Sequence, residues 1–164
     1  MLDIADNCAK GEGMAVYLWH CDRAGSYSMY AGGAADKNYL RGVQVAEQDG
    51  RVSFTSVFPA CGTDRWPHIN VEVFGSAGSA VAGENARLTS QIALPEGACK
   101  KVYDYDKGYG DSAKNIANMK LDSDSVFGDG SDGQLATVSG DPDSALLVTM
   151  TIGVGAKSTG PPPG

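Results

Sequence analysis

"HINVEVF", residues 68–74, decides the fold. Its apolar residues recur at period two. Ile69, Val71 and Val73 fall on one face of an extended chain, and His68, Asn70, Glu72 and Phe74 on the other. Seven residues with β-branched side chains on one face read as a strand that buries that face against a core. The same period appears upstream in "AVYLWHC" (15–21), where Ala15, Tyr17, Trp19 and Cys21 oppose Val16, Leu18 and His20. It appears in "RVSFTSVF" (51–58), preceded by the turn "QDG" (48–50). It is strongest in "ALLVTMTIGV" (145–154), where Leu146, Val148, Met150, Ile152 and Val154 make the expected core side. A single short helix is predicted over residues 95–103, with Pro95 at its first position. Twenty-two glycines and frequent turn signals separate the strands. The pattern predicts an all-β protein, an antiparallel β-sandwich with short helical turns, over residues 1–154. Residues 155–164, "GAKSTGPPPG", read as a disordered Gly/Pro tail.

The 164 residues suffice for one domain that removes roughly 70% of its unfolded surface from water. A net charge of −7 excludes nucleic acid as a partner, because phosphate contacts require basic patches. No apolar run approaches the ~20 residues that span a bilayer, so no membrane partner is expected. No basic start followed by an apolar stretch marks a signal peptide. The four cysteines, Cys8, Cys21, Cys61 and Cys99, form no CxxC pair, which argues against a zinc ribbon. Their wide spacing in an acidic, Gly-rich chain fits two disulfides and an oxidising compartment better than four free thiols, with all three connectivities open.

Four stretches occur in order with natural gaps: "VYLWHCDRAGSYSMY" (16–30), "NYLRGVQVAEQDGRVSFTSVFPACGTDRWPHINVEVF" (38–74), "LTSQIALPEGACKKVY" (88–103) and "DSDSVFGDG" (122–130). Together they resemble the intradiol ring-cleavage dioxygenases, especially their exported bacterial branch, over residues 2–154. The resemblance implies a β-sandwich that holds a non-haem ferric iron and opens catechol-type or lignin-derived aromatic rings. It also implies an extracellular or exported protein, aromatic catabolism and a homodimer as an allowed assembly. Ferric iron is a hard acid, and the family binds it with two tyrosinates and two histidines.

Carried over position by position, the first tyrosine matches Tyr27 in "GSYS" and the first histidine matches His68. Gly62 stands at the second tyrosine position and Asn70 at the second histidine position. Arg65 matches the family's arginine beside the substrate, and Gln91 the glutamine of "TSQ". Two ligand losses imply that iron and catalysis are gone and that the cleft binds an aromatic ligand, as in a pseudoenzyme. The alternative is an active dioxygenase in which Asp64, where the family usually has glycine, joins Tyr27 and His68 as a substitute ligand. The resemblance also implies the pairing Cys21–Cys61, clamping the loop beside the metal, with Cys8–Cys99 as the second bond. Because the family carries chain ahead of the first core strand, the sequence is expected to be a fragment or a trimmed member.

The remaining polar candidates have plainer readings. His20 has no ligand counterpart and is structural. Asp122, Asp124, Asp129 and Asp132 lack the spacing of a calcium loop and are solvated turn residues. Ser56, Ser90 and Asp49 lack a nucleophile elbow.

Overall fold

Nine strands and three α-helices follow one another along residues 1–3, 7–30 and 33–155, which the structure, a computed structural model, describes. They are β1 (Leu2–Asp3), β2 (Ala9–Lys10), β3 (Ala15–Trp19), β4 (Arg41–Val45), β5 (His68–Phe74), α1 (Ala77–Ala82), β6 (Ala86–Ala93), α2 (Glu96–Tyr105), α3 (Ser112–Ala117), β7 (Thr137–Asp141), β8 (Ala145–Thr149) and β9 (Gly153–Val154). Two single 3₁₀ turns lie at Lys107–Tyr109 and Leu121–Ser123. Three sheets result, with strand orders β2-β1-β9, β4-β3-β5-β6 and β7-β8. All ladders are antiparallel except the two-residue β1–β9 ladder, and one isolated parallel bridge joins Ala93 to Leu135. No helix among the described residues is long and apolar enough to cross a membrane.

The central four-stranded sheet explains why "HINVEVF" is so informative. β5 is an inner strand, paired with β3 on one side and β6 on the other. Val71 and Val73 are buried in the main core with Val16, Leu94, Tyr103 and Phe127. The opposite face is also covered, since His68, Asn70 and Phe74 are buried too. Register sets the row that matters most: Arg41 pairs with Trp19, Trp19 with Asn70, and Asn70 with Gln91. Directly paired residues share a face, so this row crosses the whole sheet on the His68 side.

Several expectations shift. The helix starts one residue later than predicted, at Glu96, with Pro95 as its N-cap, and runs to Tyr105. "RVSFTSVF" forms no ladder, although Val52 and Phe54 still pack on the core. Its "QDG" turn is present: Gly50 lies at φ +76, a left-handed backbone that favours glycine. "ALLVTMTIGV" keeps its alternation, with Leu146, Val148, Met150 and Ile152 packed on the core and Val154 buried, but pairing breaks at residues 150–152. The tail expected to be disordered lies, from residue 156 on, outside the described residues.

Neither expected disulfide is present in the structure, where Cys8, Cys21, Cys61 and Cys99 are all free. Cys8 is exposed in a surface turn, whereas Cys99 is fully buried on the inner side of α2. Cys21 and Cys61 are both buried, but the loop between Phe58 and Gly62 is clamped by other means. Tyr103 and Tyr109 donate from their hydroxyls to the carbonyls of Pro59 and Phe58, both at 2.9 Å. Ser112 Oγ accepts from the Cys61 amide at 3.1 Å, and Asn115 Nδ2 donates to the Cys61 carbonyl at 2.8 Å.

Candidate functional site

All seven residues singled out from the sequence, Tyr27, Gly62, Asp64, Arg65, His68, Asn70 and Gln91, line one cleft of about 300 Å³. Cys21, Gly25, Tyr30, Ala60 and Trp66 complete its walls. Three elements deliver them. β5 and β6 supply the floor through the Asn70–Gln91 pair, with His68 two residues along the same face. The loop after β3 supplies Tyr27, and an Asx turn fixes that loop: Asp22 Oδ1 accepts from the amides of Ala24 and Ser26, both at 2.9 Å. The clamped segment before β5 supplies Gly62 to Trp66.

Tyr27 and His68 are bonded to each other, Oη to Nε2 at 3.1 Å. His68 Nδ1 lies 2.6 Å from the Trp66 carbonyl oxygen. A carbonyl only accepts, so Nδ1 carries the proton, and Nε2 accepts from the Tyr27 hydroxyl. Burial lowers the His68 pKa, assisted by the Arg65 charge, and keeps the ring neutral. Burial also pushes the Tyr27 phenol up to about 12, with the neighbouring Cys21 thiol adding to the rise. The pair at neutral pH is therefore a phenol donating to a neutral imidazole.

A second network runs beside it. Asn70 Nδ2 donates to the Trp19 carbonyl at 3.2 Å, and Gln91 Nε2 donates to Asn70 Oδ1 at 2.9 Å. Arg65 Nη2 donates to Gln91 Oε1. Arg65 Nε donates to Asp124 Oδ2 at 3.0 Å, and Nη2 also reaches Oδ1 at 3.2 Å. Asp124 corrects the reading of the acidic run. Asp122, Asp129 and Asp132 are exposed, but the Asp124 side chain is 0% exposed. Its carboxylate also accepts from the amides of Trp66 at 2.7 Å and Val126 at 2.8 Å. The neighbouring Gly128 makes this turn possible, since a Cβ there would sit 2.7 Å from the Asp124 carbonyl oxygen. The only trace of this in the sequence is the aspartate's place inside "DSDSVFGDG". His20, by contrast, is structural as expected: buried, with Nδ1 donating to the Cys21 carbonyl and Ser56 Oγ on Nε2, both at 2.7 Å.

These neutral histidines predict a pH dependence. Both His20 and His68 are held below the ordinary histidine pKa, chiefly by burial. The unfolded chain therefore binds protons first as pH falls. Stability is complete above the unfolded value near 6.5 and declines as pH drops below it, levelling off under the folded values. Thermal melts at pH 7.5 and 5.5 should show a lower Tm at 5.5, and His68→Gln should remove part of that difference.

No protein-family profile and no curated protein sequence matches the chain. Solved structures do. An intradiol ring-cleavage dioxygenase from Tetranychus urticae superposes with a TM-score of 0.77 at 24% identity, over 96% of this chain and 79% of its own. The fold is that of the intradiol ring-cleavage dioxygenases. The dioxygenase domain of a dioxygenase carbohydrate-binding protein fusion from the cellulolytic bacterium Streptomyces sp. SirexAA-E gives a TM-score of 0.50 at 20% identity, covering 88% of this chain and 68% of that one.

Ferric iron, the metal this dioxygenase fold implies, does not fit the donors present. Tyr27 and His68 offer one phenol and one imidazole. Gly62 offers nothing, the neutral Asn70 amide is committed to Gln91 and the Trp19 carbonyl, and Asp64 adds one carboxylate to the cleft wall, hydrogen-bonded to neither Tyr27 nor His68. A trivalent hard cation demands more anionic oxygen than this. Among the described residues, no group of three His, Cys, Asp or Glu side chains is placed to hold a metal.

Proposed function

We propose that this chain uses its dioxygenase-type cleft to bind a catechol-type phenol and has given up ferric iron and ring cleavage. The observation that carries this reading is the Tyr27–His68 hydrogen bond, flanked by Gly62 and by an Asn70 amide tied into the floor. A phenolic hydroxyl entering between the pair meets both requirements of its own chemistry: it donates to His68 Nε2 and accepts from Tyr27 Oη. Arg65, held by Asp124 and Gln91, supplies a further donor, since its Nη1 takes no part in that network.

A specific observation favours a second reading, an iron enzyme with a Tyr27, His68 and Asp64 ligand set. Asp64 Oδ1 lies 3.4 Å from where a Cβ on Gly62 would be, so a carboxylate stands beside the position of the absent tyrosine. The two readings differ in metal content. The protein, expressed with iron in the medium, should purify colourless, with iron well below one per chain, and should bind catechol in equilibrium dialysis. Near-stoichiometric iron with a tyrosinate charge-transfer band would replace the first reading by the second.

A further inference from the structure

We propose that the cleft continues into a second, ring-binding subsite built by Trp19, Tyr30 and Arg41, and that the ligand is a phenolic with two aromatic rings. This rests on the cleft reading above and extends it. The register places Arg41 and Trp19 in the same row and on the same sheet face as Asn70 and Gln91, which floor the cleft. The ledge therefore lies next to the cleft without an intervening strand.

Tyr30 joins the two. It lines the cleft, its ring centroid lies 5.2 Å from that of Tyr27, and its hydroxyl accepts from Trp19 Nε1 at 3.3 Å. Tyr30 is nevertheless 52% exposed, so much of its ring faces water. Trp19 is held in place from behind by Tyr17, with ring centroids 5.0 Å apart and planes 22° from parallel.

Arg41 gives the ledge its chemistry. Its guanidinium carbon sits 5.2 Å from the Tyr30 ring centroid and 6.0 Å from that of Trp19. Its N–H groups go to the Ser28 carbonyl, Ser28 Oγ and Tyr17 Oη, all neutral acceptors. No carboxylate forms an ion pair with it among the described residues. An uncompensated cation among aromatic rings attracts an electron-rich π face, and the exposed Tyr30 ring and the half-buried Trp19 ring offer it packing partners. The cleft volume lies at the low end for small-molecule sites. It suits one ring and its hydroxyls, which sends a second ring outward past Tyr30.

The test compares catechol with 3,4-dihydroxybiphenyl, titrated against the whole chain and read by tryptophan emission. The sequence has two tryptophans, so in Trp19→Leu the buried Trp66 alone reports occupancy of the cleft. The two-ring probe should bind wild type about tenfold more tightly than catechol, and the ratio should fall to near one in Trp19→Leu. Tyr30→Leu, at an exposed position, should also lower the ratio and decides the matter if Trp19→Leu does not fold. A wild-type ratio near one, with catechol bound, overturns the second subsite and leaves the cleft reading standing. A tenfold ratio that persists in the folded variants also overturns the subsite, because area alone then explains it. Binding of neither probe overturns both.

Discussion

The double variant Gly62→Tyr/Asn70→His should turn coloured on addition of ferric salt and take up close to one iron per chain, while wild type stays colourless. The backbone permits it. Gly62 is not among the glycines at positive φ, so a tyrosine there meets no left-handed strain. A Cβ would meet only Asp64 Oδ1, at 3.4 Å, which is ordinary contact with a side-chain atom that can move. Asn70 shares its strand face with His68, so an imidazole at 70 enters the cleft as the amide does now. The substitution gives up the bonds to Gln91 and the Trp19 carbonyl, about 1 kcal/mol each. The metal also has to displace the phenol proton of Tyr27, whose pKa now stands at about 12. Either single change should do much less, since three donors leave the site one anion or one imidazole short. Tight ferric binding by wild type would refute the expectation at its start. A folded double variant without iron would show that the four positions no longer converge. Atomic absorption and the visible spectrum decide between these outcomes.

The second large effect is on stability. Asp124→Ala should cost about 3–5 kcal/mol in urea unfolding, the usual penalty for leaving one partner of a buried ion pair behind. It strands the Arg65 guanidinium, whose side chain is only 25% exposed, and the amides of Trp66 and Val126. Asp124→Asn should cost less, because an amide oxygen still accepts from the backbone. Burial alone would raise the Asp124 pKa, but the bonds from Arg65 and the Trp66 and Val126 amides hold it below the ordinary carboxylate value. Its contribution is thus present above the unfolded pKa near 3.9 and is lost as pH falls through that value toward the folded one. Acid unfolding of Asp124→Asn should be correspondingly shallower. A loss under about 1 kcal/mol for Asp124→Ala, the range of surface pairs, would show that the pair is hydrated and not buried.

The site was more legible in the sequence than the surrounding architecture. A strand of period two fixes which residues share a face, so the spacing of His68 and Asn70 alone puts them side by side. Tyr27, Arg65 and Gln91 followed from their places in long family-like stretches. Alternation does not reveal partners, however. "RVSFTSVF" alternates as well as β5 does, yet no strand pairs with it. α1 and α3 are six residues each, too short for a 3.6-residue period to stand out, and neither was expected. Asp124 looked like its solvated neighbours because composition is local and its partner Arg65 lies 59 residues away. The cysteines drew attention away from the loop's other ties, the tyrosine, serine and asparagine side chains of the helical region, whose places in the sequence carry no such signal.

That clamp separates the loop's shape from the loop's contents. Its grip falls on the backbone of Phe58, Pro59 and Cys61, and none of these four hydrogen bonds involves Gly62 or Asp64. The loop behaves as a socket fixed from outside, into which different residues can be plugged without remoulding it. Exchange of the residues at positions 62 and 64 then becomes an edit of chemistry at constant geometry, and the scaffold is open to redesign there for metals or ligands of other kinds.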